Sequence, residues 1–288
     1  MATTYLRAYL EKENQGKNEF FGNKKQDKSN YLFVFDTETT IDLLQNLKIG
    51  FFSVLHKNTL IDSGYFYSSK DCNNKELKIL QEFCSANGIN LYEHQKFTEK
   101  IFYKYVLLKK ALCIGFNLLF DFSRIAIDCS FTKGKRFHGG FSFTLSTKPQ
   151  YPRLKIKAHG KENALIEFGT SALNPYKEFY KGKFLDLHTL SLALSGRKNI
   201  SLEEAGKVFR SKDIKEKAES HGKITIPYLK YLAKDVLATY PLYIALMEEL
   251  NKYNIPNNPE KIFSSASIGK AILNKMNLQS FKVQNPNF

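Results

Sequence analysis

Carboxylates that follow apolar runs are the residues of this sequence best suited to chemistry. The continuous apolar run Tyr31–Phe35 ends at Asp36, and Glu38 follows two positions later. Alternate residues of a β-strand point to the same face, so Asp36 and Glu38 are expected to project together. Two adjacent carboxylates repel each other, and a cation bound between them relieves that cost. Hard oxygen ligands of this kind suit Mg²⁺ or Mn²⁺.

Two further segments carry an acid in a comparable position. Asp121 follows the short apolar run Ala111–Phe116, at the expected start of a helix. Asp235 lies inside the longest predicted helix, and Tyr231 stands four residues earlier on the same face. Each segment alone has an ordinary explanation: a chance acid pair, a helix cap, or an exposed acid beside a packed ring. Together they predict a site where separated carboxylates meet.

In this order the three segments resemble the motifs of the DEDD (DnaQ-like) 3′→5′ exonuclease superfamily. The D-x-E motif corresponds to Asp36-Thr37-Glu38, the N-x-x-F-D type motif to Asn117–Asp121, and the Y-x-x-x-D motif to Tyr231–Asp235. Lys230 stands where another subclass has histidine, so the chain resembles the tyrosine subclass. The resemblance extends over about residues 31 to 253.

Within that superfamily, the chain most resembles the exonuclease domain of protein-primed family B DNA polymerases. The segments that carry this resemblance are Ile166–Phe168, Phe184–Leu187 and Ser265–Ala271. Such polymerases continue into a palm with a Y-x-D-T-D type motif, and this sequence has no such pair of aspartates. We therefore expect an exonuclease domain that stands alone or is cut from a longer polymerase.

The resemblance implies hydrolysis of phosphodiester bonds at the 3′ end of single-stranded DNA, with two divalent cations, Mg²⁺ or Mn²⁺, as cofactors. It implies that Asp36 bridges both ions and that Asp121 holds the ion on the leaving-group side. Glu38 and Asp235 would complete the ligands of the other ion, and Tyr231 would orient the attacking water. The implied contacts to the terminal nucleotides are Thr37, Thr39, Asn117 and Phe120. Asp186, which ends another apolar run, is interpreted as a structural or supporting acid.

The elements that must position these residues predict an α/β fold: an RNase H-like mixed sheet flanked by helices, with an inserted β-ribbon. We expect a flexible polar arm over 1–30, the exonuclease domain over 31–255 with the ribbon at 131–184, and a C-terminal helical extension over 256–288. Strands are predicted over 31–35, 48–55, 60–67, 111–116 and 183–187, with a turn at His56–Asn58 between the second and third. Helices are predicted over 75–86, 96–110, 121–127, 201–209, 226–253 and 264–276. Ser201 and Glu204 form a capping box for the fourth, and Leu108 is predicted to point inward from the second.

The predicted ribbon is rich in cations with aromatic residues interleaved, a combination that suits single-stranded nucleic acid. A solvated basic edge explains the same pattern equally well. On one strand, alternation predicts that Arg153, Lys155 and Lys157 share a face. The candidate nucleic-acid contacts of the ribbon are Lys133, Lys135, Arg136, Arg153, Lys155 and Lys157.

Composition limits the class of protein. Hydrophobic residues make up 43% of the 288, enough for a core, and the net charge of +15 favours nucleic acid as a partner, although a lysine-rich proteome would also produce it. No apolar run is long enough for a membrane span, and the N-terminus has no export signal, so we predict neither. The four cysteines are scattered, so we predict no zinc site and expect reduced thiols in a reducing cytoplasm.

Three other functions stay open at this point. A non-catalytic nucleic-acid-binding module would keep the charge, and an RNA 3′ exonuclease would share the fold. An interaction subunit, or a polymerase module docked through the C-terminal extension, would use residues 264–288.

Overall fold

The computed structural model of the protein describes residues 9–11, 30–133, 135–159, 163–169, 180–212, 222–255, 258–276 and 278–280. Its strands, in chain order, are β1 (Tyr9–Glu11), β2 (Tyr31–Thr39), β3 (Leu47–His56), β4 (Thr59–Tyr67), β5 (Asn90–Glu93), β6 (Leu112–Gly115), β7 (Asp128–Phe131), β8 (Phe141–Thr144), β9 (Leu154–His159), β10 (Asn163–Phe168), β11 (Lys183–Asp186) and β12 (Leu278–Ser280).

Six strands form the main sheet, in the order β11-β6-β2-β3-β4-β5. Strands β11, β6 and β2 run parallel, whereas β3 is antiparallel to both β2 and β4, and β5 is parallel to β4. The predicted mixed α/β sheet is thereby confirmed. The predicted turn between β3 and β4 is also confirmed, since Lys57 and Asn58 both adopt positive φ, at 49° and 66°.

Most of the helices lie close to predicted positions, but the helix over Leu187–Ser195 was not predicted. The helices are α1 (Asn74–Asn87), α2 (His94–Phe97), a π-helix (Thr98–Leu108), α3 (Leu118–Ile125), α4 (Leu187–Ser195), α5 (Leu202–Val208), α6 (Ile226–Asn251) and α7 (Ser265–Lys275), with 3₁₀ turns at Lys135–Phe137 and Pro259–Lys261. The predicted capping box of Ser201 and Glu204 begins α5.

One helix differs in kind from the prediction. The segment expected to be an α-helix over 96–110 is α2 followed by the π-helix, in which hydrogen bonds run five residues back, as from Lys109 N–H to the Lys104 carbonyl at 3.0 Å. Because a π-helix has more residues per turn than an α-helix, residues three or four positions apart no longer lie on the same face. Leu108 was predicted to point inward and is 64% exposed, so that prediction is wrong.

The main sheet has a hydrophobic core on each side. Along β2, Leu32 and Val34 face a core formed mainly with α1, α4 and α6. Phe33 and Phe35 face the opposite core, which the π-helix, α3 and the second sheet complete. Even-numbered and odd-numbered residues of β2 therefore point to opposite faces of the sheet. Asp36 and Glu38 lie on the same face as Leu32 and Val34, which is directed toward α6.

The predicted inserted ribbon is a second, four-stranded antiparallel sheet in the order β10-β9-β8-β7. This sheet begins at Asp128, before the predicted boundary at 131. The boundary was placed too late because all residues of β7 are exposed, so the strand lacks the alternation that marks a half-buried strand. Residues 134, 160–162 and 170–179 of the predicted insertion lie outside the described residues. The buried face of this sheet, with Leu154 and Ile156, packs into the core that contains Phe102.

Both ends of the described chain meet. In the predicted arm, only 9–11 and 30 are described; β1 pairs antiparallel with β12, and the other arm residues lie outside the described part. In the predicted C-terminal extension, Ile262 and Ile268 are buried in the α6-side core, and Ser265 Oγ donates to the Ala193 carbonyl of α4 at 2.8 Å. The four cysteines are all free. None of the helices described is long and apolar enough to cross a bilayer.

Candidate active site

The carboxyl ends of the three parallel strands carry acids at one edge of the main sheet. Strand β2 ends with Asp36 and Glu38, β11 ends at Asp186, and the segment after β6 leads to Asp121. Ligand sites of α/β sheets lie outside the carboxyl ends of parallel strands. The sequence therefore brings three of its acid-bearing segments to the edge of the sheet where such a site is expected.

Pairing along β2 leaves room for this site. Strand β6 pairs with β2 only at residues 32–34, whereas β3 pairs along the whole of β2. Beyond Val34 the β6 side of β2 is open, because β6 ends at Gly115. A side chain at Gly115 would meet Leu118 at 2.5 Å, so the chain turns there through close packing that needs glycine. The start of α3 fills the opened side.

Asp121, in the first turn of α3, is tied directly to the D-x-E segment. Its Oδ1 accepts hydrogen bonds from Thr37 N–H at 3.1 Å and from the Thr37 hydroxyl at 2.7 Å. Thr37 is 5% exposed, so its side chain holds Asp121 rather than facing the surface. Asp121 is 1% exposed, and its Oδ2 makes no hydrogen bond with any residue the structure describes. One oxygen of a buried carboxylate is thus fixed and the other is available.

The electrostatics of Asp121 indicate crowding of negative charge. Burial first, and then the neighbouring Asp36 carboxylate, raise the pKa of Asp121 well above its usual range. The hydrogen bonds from Thr37 oppose this rise, and the charge of Asp186 adds to it. A bound cation would offset both the burial and the repulsion.

We expect Asp121→Asn to stabilise the metal-free protein near neutral pH. Asparagine keeps an acceptor for Thr37 and removes the buried charge. Because the folded-state pKa is raised, the carboxylate costs nothing below its unfolded pKa of about 3.9, and its cost grows as pH rises toward the folded value. The melting temperature in EDTA should therefore rise by about 2 °C per kcal/mol of relieved cost at neutral pH, and by almost nothing near pH 4.

The matched control for that comparison is Glu82→Gln, which removes a carboxylate whose side chain is 67% exposed. It should leave the melting temperature almost unchanged at both pH values. A neutral-pH melting temperature for Asp121→Asn that is no higher than that of the unmodified protein would contradict the burial and repulsion described above.

Asp186 has a structural role at the same edge. Its Oδ1 accepts from Asn117 N–H at 2.8 Å and from His188 N–H at 3.2 Å, and its Oδ2 accepts from the Thr189 hydroxyl at 3.0 Å. It thereby caps α4 and fixes Asn117, which adopts the left-handed conformation with φ of 77° at the start of α3. Burial raises the pKa of Asp186. The acid places α3, and with it Asp121.

Helix α6 supplies the third segment. Tyr228, Tyr231 and Asp235 lie at positions i, i+3 and i+7, on one face of the helix. The rings of Tyr228 and Tyr231 stack with centroids 6.2 Å apart. Burial, followed by the nearby Glu38 carboxylate, raises the pKa of Tyr228, and Asp36 contributes further. This face of α6 therefore lies over the two acids of β2, and it buries Asp235 to 2% exposure.

A buried ion pair fixes the beginning of α6. Lys48 of β3 lies 2.7 Å from Glu76 of α1 and also donates to the Gly222 carbonyl at 2.6 Å. Glu76 accepts from Ile224 N–H at 3.1 Å. Burial opposes ionisation of Glu76, but these hydrogen bonds outweigh it and lower its pKa. The pair joins β3, α1 and the segment that leads into α6.

The other predicted nucleic-acid contacts fall into two groups, one on β2 and α3 beside the acids and one on the second sheet. Thr39 is half-buried at the end of β2, Asn117 is exposed, and Phe120 is half-buried beneath the Arg124 guanidinium at 4.9 Å. The six cations of the predicted ribbon belong to the second sheet and its connections. Three of them share the outer face along β9, as predicted: Arg153, which directly precedes the strand, Lys155 and Lys157.

Sequence reasoning missed several residues of this region. Tyr228 was not singled out, although its spacing three residues before Tyr231 was a usable signal. The ion pair of Lys48 and Glu76 has no local signal, because its partners meet only after the sheet and α1 have packed. The bond from Thr37 to Asp121 likewise joins residues 84 positions apart.

The acids match divalent cations in donor type and charge but do not form a closed cage. Within the described ranges, no three Asp, Glu, His or Cys side chains are gathered into a metal site. The buried Oδ2 of Asp121 beside Asp36 is the donor best suited to an ion. The residues therefore fit such ions chemically, and a bound ion would have to draw the carboxylates closer together.

Comparison with known proteins adds no family assignment. No protein-family model matches the chain, and no curated protein matches it significantly.

Proposed function

We propose that this chain is a divalent-metal-dependent 3′→5′ exonuclease of RNase H-like fold that acts on single-stranded DNA. The observation that carries the proposal is the buried Asp121 carboxylate. Thr37, inside the D-x-E segment, holds one of its oxygens, and Asp36 crowds it electrostatically. A buried carboxylate that a second acid crowds costs stability, and a bound cation would offset that cost.

The positions of the three acid-bearing segments in the fold support the proposal. Central strand β2 carries the first acids, the parallel strand β6 leads to the second segment, and the long helix α6 covers them with the third. This order of motifs on strand, helix start and helix is what resemblance to the tyrosine subclass of DEDD exonucleases requires.

Each residue of the site has a distinct part in the proposed chemistry. Asp36, Glu38, Asp121 and Asp235 would hold two Mg²⁺ or Mn²⁺ ions, which when bound supply an activated water and offset the charge of the phosphodiester. The Tyr231 hydroxyl would orient that water by hydrogen bonding. Thr37 keeps Asp121 in place, and Asp186 keeps Asn117 and the start of α3 in place. Asn117, Phe120 and Thr39 are placed to meet the terminal nucleotides.

The reaction polarity is the first test. We expect 5′-labelled single-stranded DNA to be shortened stepwise from its 3′ end with Mg²⁺ or Mn²⁺ and to remain intact in EDTA. A 3′-terminal phosphorothioate or 3′-phosphate should slow or stop the reaction, and a blocked 5′ end should not. Products are read on a denaturing gel. Cleavage of a closed single-stranded circle would indicate an endonuclease instead.

The same assay separates the rival functions. Matched RNA degraded at least as fast as DNA would favour an RNA 3′ exonuclease. A non-catalytic nucleic-acid-binding module gains some support from the lack of a closed metal cage among the described residues. That alternative predicts binding of both labelled strands with no shortening in any metal.

The C-terminal extension is the part of the chain where a protein partner is expected. A polymerase module or another protein could dock on the C-terminal extension, whose described helix α7 uses Ile268 to pack on the body of the protein and leaves Met276 60% exposed.

A further inference from the structure

Two phenylalanines stand exposed at the edge of the second sheet. Phe131 ends β7 and is 78% exposed, and Phe141 begins β8 and is 41% exposed. They are direct cross-strand partners, with ring centroids 5.9 Å apart and planes inclined by 28°. Phe141 stacks in turn on the buried Phe143, at 6.1 Å and 1°. The rings form a ladder that begins in the core and ends in solvent.

Ordinary packing does not account for the outer end of this ladder. Strand β7 is the outer strand of its sheet, and all four of its residues are exposed. Exposed aromatic rings on an edge strand favour unwanted association, which natural sheets normally prevent with charge or proline. The 78% exposed ring of Phe131 leaves a face on which a further aromatic ring can stack.

The charges beside the rings select the ligand. The connection between Phe131 and Phe141, residues 132–140, contains two lysines, one arginine and one histidine and no acid. Arg136 is paired with Glu167 at 2.5 Å, whereas Lys133 and Lys135 are exposed and make no ion pair with any residue the structure describes. Exposed rings joined by a segment that carries exposed cations match unpaired bases joined by phosphates.

We propose that the Phe131–Phe141 pair is a stacking platform for the bases of single-stranded nucleic acid, with Lys133 and Lys135 contacting its phosphates. The proposal rests on the proposed function for its substrate class and adds a binding surface outside the carboxylate site. The platform would hold the strand by base stacking, which tolerates any sequence.

The opposite face of the same sheet provides a contrast. Arg153, Lys155 and Lys157 lie there with no aromatic ring among them. Arg153 is engaged by Asp128 at 3.3 Å and by the Ser142 hydroxyl at 2.9 Å. Binding through that face would be purely electrostatic, so the two faces should respond differently to salt and to removal of bases.

The experiment is a binding titration of the full chain in EDTA, where hydrolysis cannot interfere. Three ligands of equal length are used: oligo-dT, an oligomer with abasic spacers in place of nucleosides, and a blunt duplex. Because the chain has no tryptophan, Phe131→Trp introduces a single reporter that keeps an aromatic ring at the platform. We expect oligo-dT to quench its fluorescence and the abasic oligomer to leave it unchanged.

Two multiple variants separate stacking from charge. Phe131→Ala with Phe141→Ala should weaken oligo-dT binding about 10- to 100-fold at every salt concentration, without changing the slope of log affinity against log salt. Lys133→Gln with Lys135→Gln should reduce that slope by about 0.7 for each phosphate that the protein no longer neutralises. Lys78→Gln removes an exposed lysine of α1, outside the second sheet, and should leave the Phe131→Trp quenching intact.

Several results would overturn the proposal. Equal affinity of the double alanine variant and the unmodified protein would show that the rings do not bind bases. Quenching by the abasic oligomer would assign the signal to phosphates. Self-association of the chain that the double alanine variant abolishes would assign the platform to a second copy. Binding is measured without metal and hydrolysis is measured with it. The platform proposal can therefore fail while the proposed exonuclease activity is found, and the platform can be found in a protein that does not hydrolyse DNA.

Discussion

Replacing Asp36 by alanine should abolish hydrolysis while leaving nucleic-acid binding intact. In the proposed site this acid would help to hold both ions, so its loss would remove the charge stabilisation that both ions supply. A loss of at least about 1000-fold is expected, because each 1.4 kcal/mol of lost transition-state stabilisation costs about tenfold in rate. The rate is measured with saturating 5′-labelled single-stranded DNA and Mg²⁺.

The structure explains why the fold should survive this change. Asp36 is half-buried at the open end of β2, past the last residue that pairs with β6. Removing its charge relieves Asp121, whose pKa is raised by burial and then by Asp36, so the metal-free variant should be at least as stable as the unmodified chain. Binding of the same DNA in EDTA should be unchanged.

Glu82→Ala is the matched control for Asp36→Ala, because it removes an acid from an exposed position on α1. It should digest DNA at the normal rate. Asp235→Ala should share the defect of Asp36→Ala, since the proposal places both acids around the ions. If both variants digest DNA at the rate of the unmodified protein, the carboxylates lie elsewhere and the site assignment is wrong.

The parts of the fold that the sequence predicts well depend on local patterns. The buried strand through Phe35 follows from its apolar run, and parity along it places Asp36 and Glu38 together. Helix α6 begins at its predicted residue, because Thr225 caps it and Pro227 suits a first turn. Such signals need only the neighbours of each residue.

The parts that escape prediction depend on distant contacts. The π-helix after α2 shows no local mark, and its geometry exposes Leu108 against expectation. Strand β7 joins its sheet by pairing with β8 while every one of its side chains stays exposed, so its sequence lacks alternation. The hold of Thr37 on Asp121 arises only when α3 packs beside the open end of β2.

Removal of a single oxygen atom from Tyr231 should slow turnover by about 10- to 1000-fold, the range expected for losing one positioned catalytic group. Tyr231→Phe keeps the ring, which stacks on Tyr228 with centroids 6.2 Å apart and planes inclined by 15°. Packing of α6 over the acids of β2 should therefore be retained. The affinity for DNA in EDTA should hardly change, because the ring and the charges of the surface remain.

The same substitution elsewhere on α6 separates catalysis from packing. Tyr240 is half-buried and stacks on Tyr243 at 6.5 Å, so Tyr240→Phe removes an equivalent hydroxyl from the same helix. If hydroxyl loss merely loosened α6, both variants would lower the melting temperature and the rate together. If Tyr231 orients water, only Tyr231→Phe loses rate, its melting temperature stays close to that of the control, and the defect lies in turnover rather than in affinity. A normal rate for Tyr231→Phe would instead make Tyr231 a packing residue of α6.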